Sequence, residues 1–323
     1  MTLHINEREV RQLMTMPMAI SAVEEVSRQQ AEGSVIIHPR RRFELPNHGF
    51  FHYMAALDTA GGYVGMKQYT YVGGKLRFLV PLYSISTGEL LALIEADYMG
   101  QLRTGAASGV ATKYLARKLA KSAAIIGTGG QARTQLEAIH NVRMFDSVYV
   151  YGRDPKRRKE FSEEMSDRLG VNVYPVETSA DAVRNAEVVC TATTSSQPVL
   201  LGADLPPGIH INAIGANHAH KQELDEHAVA KANVIFVDSL AQSQQEAGDL
   251  IIPFTKQPQK WSAVRELSDL VAGKAAGRVN DSQITLFKSN GIAAWDLAMA
   301  EKVYAVAKEK GLGRELPFFA TVN

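Results

Sequence analysis

The stretch AAIIGTGGQARTQLEAI, from Ala123 to Ile139, limits most strongly what this chain can fold into. A short apolar run meets a glycine cluster. A segment with Leu136, Ile139 and Val142 on one helical face follows. Strand, tight turn, helix is the start of a βαβ unit. The spacing Gly127, Gly129, Ala132 is that of a dinucleotide cradle. Gly127 permits the turn, Gly129 lets the backbone approach a pyrophosphate, and Ala132 lets the helix pack close to the sheet. The helix start then offers free N–H groups to phosphate. Thr128, Gly130 and Gln131 complete the candidate cradle. Many strand–helix turns carry glycines, so a bare structural turn is the competing reading.

The surrounding pattern favours the cradle. Strand-like runs SVYVYG, NVYPV, EVVCTAT, HINAIG and NVIFVD alternate with helical segments after residue 122. Such alternation implies a parallel sheet covered by helices on both faces. Upstream, residues 6–32 carry helical periodicity. FFHYMAAL, YVGMKQYTYV, KLRFLVPLYSI and LLALIEAD then read as an antiparallel meander between Gly49 and Glu95. QLRTGAASGVATKYLARKLA reads as a helix, and so does the tail from Asn290 to Gly311. The fold class expected is α/β: a Rossmann-type doubly wound parallel sheet plus an α+β domain with an antiparallel sheet. The boundaries expected are 1–116, with about 300–323 returning to it, and 117–299. A chain of 323 residues is long enough for both.

Bulk properties exclude several classes. A net charge of +1 and a pI near 7.8 call for neither nucleic acid nor an anionic membrane as partner. One cysteine, Cys190, excludes an internal disulfide and a cysteine-based zinc cluster, and no metal is expected. Cys190 lies in an apolar run and reads as a core thiol. The N-terminal segment lacks an apolar signal core, and no run of about 18 apolar residues exists. A cytoplasmic setting is expected.

The end of the second parallel strand discriminates between dinucleotides. A site for NAD usually places Asp or Glu there for the ribose 2′-hydroxyl. Here Gly152 stands at that place, followed by Arg153 and, further on, Lys156. A carboxylate about 4 Å from a 2′-phosphate would cost roughly 4 kcal/mol per charge pair at an effective dielectric of 20. NADP(H) is therefore expected over NAD(H). Asp154 reads as the cap of the next helix, and Arg157 and Arg158 as a solvated helix face. Thr193 and Thr194 end another strand at the carboxyl edge, as cofactor contacts or as caps of the following turn.

Several motifs in order, HPRRRF, GMKQY, QLRTGAASGVATKYLA, IIGTGGQARTQLEA, NAIGANHAHKQELD and LFKSNGIAAWDLAMA, resemble the ornithine cyclodeaminase/mu-crystallin family over nearly the whole chain. The resemblance implies a substrate-binding and dimerisation domain, a Rossmann domain, a homodimer, and hydride transfer at the carbon–nitrogen bond of an amino or imino acid. It implies that Arg41, Lys67 and Arg103 hold the substrate carboxylate, and that Lys67 can also polarise or protonate; Arg40 and Arg42 flank Arg41 and are the alternatives one position away. The residues agree: Lys67 shares strand parity with Tyr63, Tyr69 and Tyr71, and Arg supplies the planar partner a carboxylate needs. Ser289 and Gly291 are expected near the nicotinamide. SQQEAGDL resembles a family segment near the active site, without an assigned role.

One departure bears on the reaction. Where cyclodeaminases and related alanine dehydrogenases carry an aspartate, this chain has Asn217. An amide is no general base. It can still orient a substrate or ribose, and His218 or His220 are alternative acids or bases. The activity expected is NAD(P)H-dependent reduction of a small α-imino acid. Cyclic ketimines such as pyrroline-2-carboxylate or piperideine-2-carboxylate lead. An ornithine cyclodeaminase or an alanine-dehydrogenase-like enzyme are the alternatives, with an NADPH-dependent small-ligand binding protein as the alternative of another class.

Overall fold

The structure, a computed structural model, describes residues 1–46 and 48–318. The chain divides into two compact units: residues 1–103 with the segment from Gly291 onward, and residues 104–290. The sequence reading put these divisions near 116 and 300. They fall instead within the helix Asp97–Leu115, whose first two turns belong with the first unit, and just before the helix Ala293–Lys310.

In the first unit, seven strands among the described residues form one sheet. From one edge they run Arg314–Leu316, Thr2–Ile5, Leu90–Glu95, Lys75–Ser84, Tyr63–Val72, Phe50–Asp58 and Val35–Glu44. The expected meander is there, but the sheet is mixed, because Thr2–Ile5 pairs parallel to Leu90–Glu95. The helical segment expected over 6–32 is two helices, Glu7–Leu13 and Met16–Glu32. Asn6 caps the first through a capping box with Glu9. Pro17 forces the break: it has no N–H to give and is accepted only in the first turn of a new helix.

The helix Ala293–Lys310 packs on the strands Phe50–Asp58 and Tyr63–Val72 and against Met16–Glu32. Gly65 makes room for it: a Cβ there would stand 3.0 Å from Leu297. The opposite sheet face carries Phe43, Phe51 and Tyr53, whose rings lie 6.0 to 6.4 Å apart.

The second unit carries eight parallel strands among the described residues. In order they are Arg265–Glu266, Val234–Val237, Thr285–Lys288, His210–Ala213, Val188–Thr191, Ser122–Ile126, Ser147–Tyr151 and Asn172–Pro175. The chain order reverses beside Ser122–Ile126, the switch point where ligands of doubly wound sheets sit. Two apolar layers flank this sheet, one around Leu136, Phe161 and Met165, the other around Ile211, Leu250 and Leu286. Cys190 is fully buried, and burial pushes its thiol up to about 12, which keeps it an unreactive core residue. Among the described residues no helix is long and apolar enough to cross a membrane.

Candidate active site

At the switch point a cavity of about 530 Å³ opens at the carboxyl ends of the strands. Its wall is formed by Gly127 to Gly129, Gly152 to Asp154, Arg157 and Ala192 to Ser195. Gly127 has φ +123°, and a Cβ on it would stand 2.4 Å from the Ala192 carbonyl oxygen, so only glycine makes this turn. Gly129 precedes the helix Gly130–Val142, and a Cβ there would meet nothing within 4 Å: its backbone faces open space. Arg133 braces the loop by donating to the carbonyls of Thr128 and Gly129 while paired with Glu164. An open glycine backbone at a helix N-terminus fits the pyrophosphate of a dinucleotide.

Gly152 has a packing reason as well. A Cβ there would stand 2.7 Å from the Thr128 methyl. Arg153 and Arg157 are exposed along the cavity wall. Lys156 is not in that wall and lies 3.9 Å from Glu160 on the solvent side of its helix. Arg158 is not a solvated residue: it is buried, donating to the Gly152 carbonyl and paired with Glu177. Gly130, Gln131 and Ala132 also stand outside the wall, Ala132 as a fully buried core residue.

A buried acid that the sequence reading missed organises this edge. The Glu223 carboxylate accepts four hydrogen bonds: from the Thr193 N–H (2.7 Å) and hydroxyl (2.7 Å), the Gly215 N–H (2.7 Å) and the Thr191 hydroxyl (2.8 Å). Burial pushes its pKa up, and the Thr193 donors and Lys288 pull it back down. Asp249 in turn accepts the N–H groups of Glu223 and Leu224 and pairs with Lys288 at 3.1 Å. Asp249 and Lys288 are both fully buried. Gly248 lies under the loop: a Cβ there would stand 2.0 Å from the Lys221 carbonyl oxygen. The role of SQQEAGDL is thus to hold the segment from Asn217 to Leu224. Asn217 is half-buried, its Oδ1 2.9 Å from His218 Nδ1, and His218 stacks edge-on with His220. Ser289 is buried, its hydroxyl engaged with Asp238.

The first unit holds a second polar cluster. Lys67 and Arg103, both about 95% buried, share one oxygen of Asp296, at 3.0 and 3.1 Å. The other Asp296 oxygen has no hydrogen-bond partner among the described residues. Burial, then the charges of Arg103 and Arg40, push the Lys67 ammonium down to about 8 against the upward pull of Asp296. The rings of Tyr69 and Phe78 stand 5.9 and 5.1 Å from its nitrogen. Gly291, at φ +83°, gives Arg103 its space: a Cβ would stand 2.5 Å from the guanidinium.

Arg41 is not in this cluster. It pairs across from Tyr53 on the exposed sheet face. A register shift between His38 and Arg41 turns Arg40 inward instead, where it donates to the Gly291 carbonyl. Of the three arginines in HPRRRF, Arg40, which flanks Arg41, is the one that reaches Gly291. Asp296 was missed because an acid in the first turn of a helix is ordinary dipole compensation.

A doubly wound sheet with a glycine cradle, in a chain that also buries a Lys–Asp–Arg cluster, defines a nicotinamide-dependent oxidoreductase of the Rossmann type. Residues 2–311 match the Ornithine cyclodeaminase/mu-crystallin family, and the chain belongs to it. It is 41% identical over 241 residues to a Delta(1)-pyrroline-2-carboxylate reductase of Bacillus cereus, covering 74% of each chain. The Thermococcus litoralis Delta(1)-pyrroline-2-carboxylate reductase, solved in complex with NADH and L-proline, superposes with a TM-score of 0.93 at 35% identity, over 98% of this chain and 100% of that one. The iminosuccinate reductase of Paracoccus denitrificans, solved with NAD+, also gives 0.93, at 30% identity, over 98% and 99%.

Glu223→Gln places an N–H donor among four donors. At least one buried group then loses its acceptor, which costs about 1–3 kcal/mol. Chemical denaturation is expected to show that loss, and calorimetry a dinucleotide affinity weakened about tenfold, because Thr193 is released from its position. Unchanged dinucleotide affinity would restrict Glu223 to the core.

Proposed function

We propose that this chain uses a reduced nicotinamide dinucleotide, NADPH in preference to NADH, to reduce the C=N bond of a small cyclic α-imino acid. Pyrroline-2-carboxylate and piperideine-2-carboxylate are the substrates that fit best. The observation that carries this is the cluster at Asp296. Two buried cations share a single carboxylate, and a second carboxylate, the substrate's own, completes their charge balance. The relatives that reduce pyrroline-2-carboxylate and iminosuccinate support the reaction class. Asn217 supports reduction of a preformed imine over oxidation and cyclisation of a diamino acid, since its amide takes up no proton.

In this reading the second unit is the dinucleotide domain and the first the substrate domain. Gly127 to Gly129 would hold the dinucleotide, which when bound would supply the hydride that reduces the imine carbon. Arg103 and Arg40 hold the substrate carboxylate, Arg103 with a planar fork suited to two oxygens. Lys67 donates a proton to the imine nitrogen, and the product is the cyclic amino acid. Asp296 keeps Lys67 charged and in place. Phe43, Phe51, Tyr53 and Ile36 give the sheet's outer face a contiguous apolar surface, with Phe43 59% and Ile36 52% exposed, which suits a homodimer.

The first experiment is consumption of NADPH, and separately NADH, with cyclic and linear α-imino acids, followed by absorbance. Turnover with a cyclic ketimine is expected, and Arg103→Ala should lower kcat/KM about 100-fold, the loss of a charge-assisted pair of about 3 kcal/mol. Ammonia and proline from ornithine, with no imine consumed, would replace this function with a cyclodeaminase. Tight ligand binding without turnover would replace it with a binding protein.

The pH dependence follows from Lys67. Its acid form dominates below about 8 and is lost above it, so kcat/KM for reduction falls roughly tenfold per pH unit above that point. Asp296→Asn removes the group that raises this pKa, so the limb moves to lower pH. A limb unmoved in that variant would assign the proton to another donor.

For the cofactor, Arg153 and Arg157 line a cavity whose ribose end has no carboxylate at residue 152. Arg153→Ala should raise the KM for NADPH about tenfold, one charge interaction of about 1.4 kcal/mol, and leave that for NADH nearly unchanged. Equal effects on both would overturn the preference.

A further inference from the structure

The second unit has another cavity, of about 660 Å³, larger than the one at the glycine cradle. Its lining comes from segments that lead into strands. Arg117 to Leu119 precede Ser122–Ile126, Arg143 precedes Ser147–Tyr151, and Arg278 to Asp281 precede Thr285–Lys288. It therefore opens at the amino-terminal edge of the parallel sheet, the edge opposite the dinucleotide cradle. Nothing in the proposed reduction uses it.

Its charge is one-sided. Lys113, Arg117, Lys118, Arg143 and Arg278 line it against two carboxylates, Glu187 and Asp281. Part of this is structural. Arg143 donates to the carbonyls of Lys113 and Arg117, and Arg278 to those of Leu115 and Gln283, closing the end of the helix Asp97–Leu115. A helix C-terminus carries only about half a negative charge, so capping it does not by itself account for five cations in one lining. Arg117 pairs with Glu187 at 3.1 Å, yet its Nε is buried with no acceptor among the described residues. Lys118 is exposed and makes no hydrogen bond or ion pair among them. Burial, then the charge of Arg117, pushes the Arg278 guanidinium down to about 10, and burial lowers Arg143 too. Leu119 and Val279, 84% and 70% exposed, form an apolar part of the lining.

We infer that this cavity binds a small, multiply charged oxyanion, a phosphate or a polycarboxylate. Crowded cations with an unused buried donor are completed by an anion that takes several N–H groups at once. The site is independent of the imine reduction, and binding can be read without turnover.

The test is calorimetric titration of the whole protein with inorganic pyrophosphate and, separately, citrate. NADPH and NADH are both held in excess, so that the glycine cradle is filled. Saturable binding of at least one anion is expected. Lys118→Glu reverses an exposed charge without touching a structural bond and should weaken that binding about tenfold. Arg117→Gln should weaken it similarly. Binding of pyrophosphate alone assigns a phosphate ligand, and of citrate alone a carboxylate. No saturable binding, binding that disappears once the dinucleotides are present, or equal affinity in both variants would overturn the site.

Discussion

The first unit turns on one oxygen of Asp296. Lys67 comes from the sheet, Arg103 from the helix Asp97–Leu115, and Asp296 from the first turn of the helix Ala293–Lys310. Three elements distant in sequence are thereby tied at a single buried point. Taking the Asp296 charge away leaves two buried cations uncompensated, a loss of about 3–5 kcal/mol for a broken buried pair. The surroundings are cut to this requirement. Gly100 leaves space at the Lys67 nitrogen, where a Cβ would stand at 3.1 Å, and Gly291 leaves it for Arg103. A cluster built only for stability would be served as well by packed apolar side chains. This one holds two cations over a single acid and so keeps a net positive charge in a buried place.

The second unit solves a related problem with acids in the majority. At the carboxyl edge of its sheet the chain leaves the strands in loops whose N–H groups need partners in a dry setting. Glu223, Asp249 and Asp238 provide them. Glu223 takes Thr193 and Gly215, Asp249 takes Glu223 and Leu224, and Asp238 takes Ser239 and Asn290. Lys288 offsets part of this charge and donates to the carbonyls of Ala213 and Ala216. The loops at the cradle edge are thus held by hydrogen bonds to carboxylates rather than by apolar packing, which gives them fixed geometry without bulk.

What the sequence disclosed follows from how local each signal is. The alternation after residue 122 and the turn at Gly127 to Gly129 are written in adjacent residues, and they located the parallel sheet and its cradle. The strand Thr285–Lys288 was not recognised, because four residues ending in a lysine do not look like the centre of a sheet; Asp249 and the carbonyls of Ala213 and Ala216, all far off in sequence, make that lysine acceptable there. Glu223 and Asp296 were invisible for the same reason: each stands in a segment where an acid is unremarkable, and its partners lie on other elements. Which of the neighbouring arginines Arg40, Arg41 and Arg42 faces Gly291 depends on the register shift between His38 and Arg41, and strand alternation does not show that shift. Lys67 was singled out by the resemblance and supported by strand parity, and its strand, Tyr63–Val72, places it buried beside the rings of Tyr69 and Phe78.

Gly152 shows how one residue can carry two requirements. Its absence of a side chain was read as the mark of a 2′-phosphate, yet the structure supplies a prior reason: a Cβ would strike the Thr128 methyl at 2.7 Å. Thr128 stands between Gly127 and Gly129, so any acid at residue 152 would have to displace the cradle itself. The glycine therefore removes the 2′-hydroxyl partner by packing alone, whichever dinucleotide is bound. Two side chains that follow, Arg153 and Arg157, line the cavity with positive charge and are exposed. The proposed preference for the 2′-phosphate would rest on added attraction from these arginines rather than on exclusion.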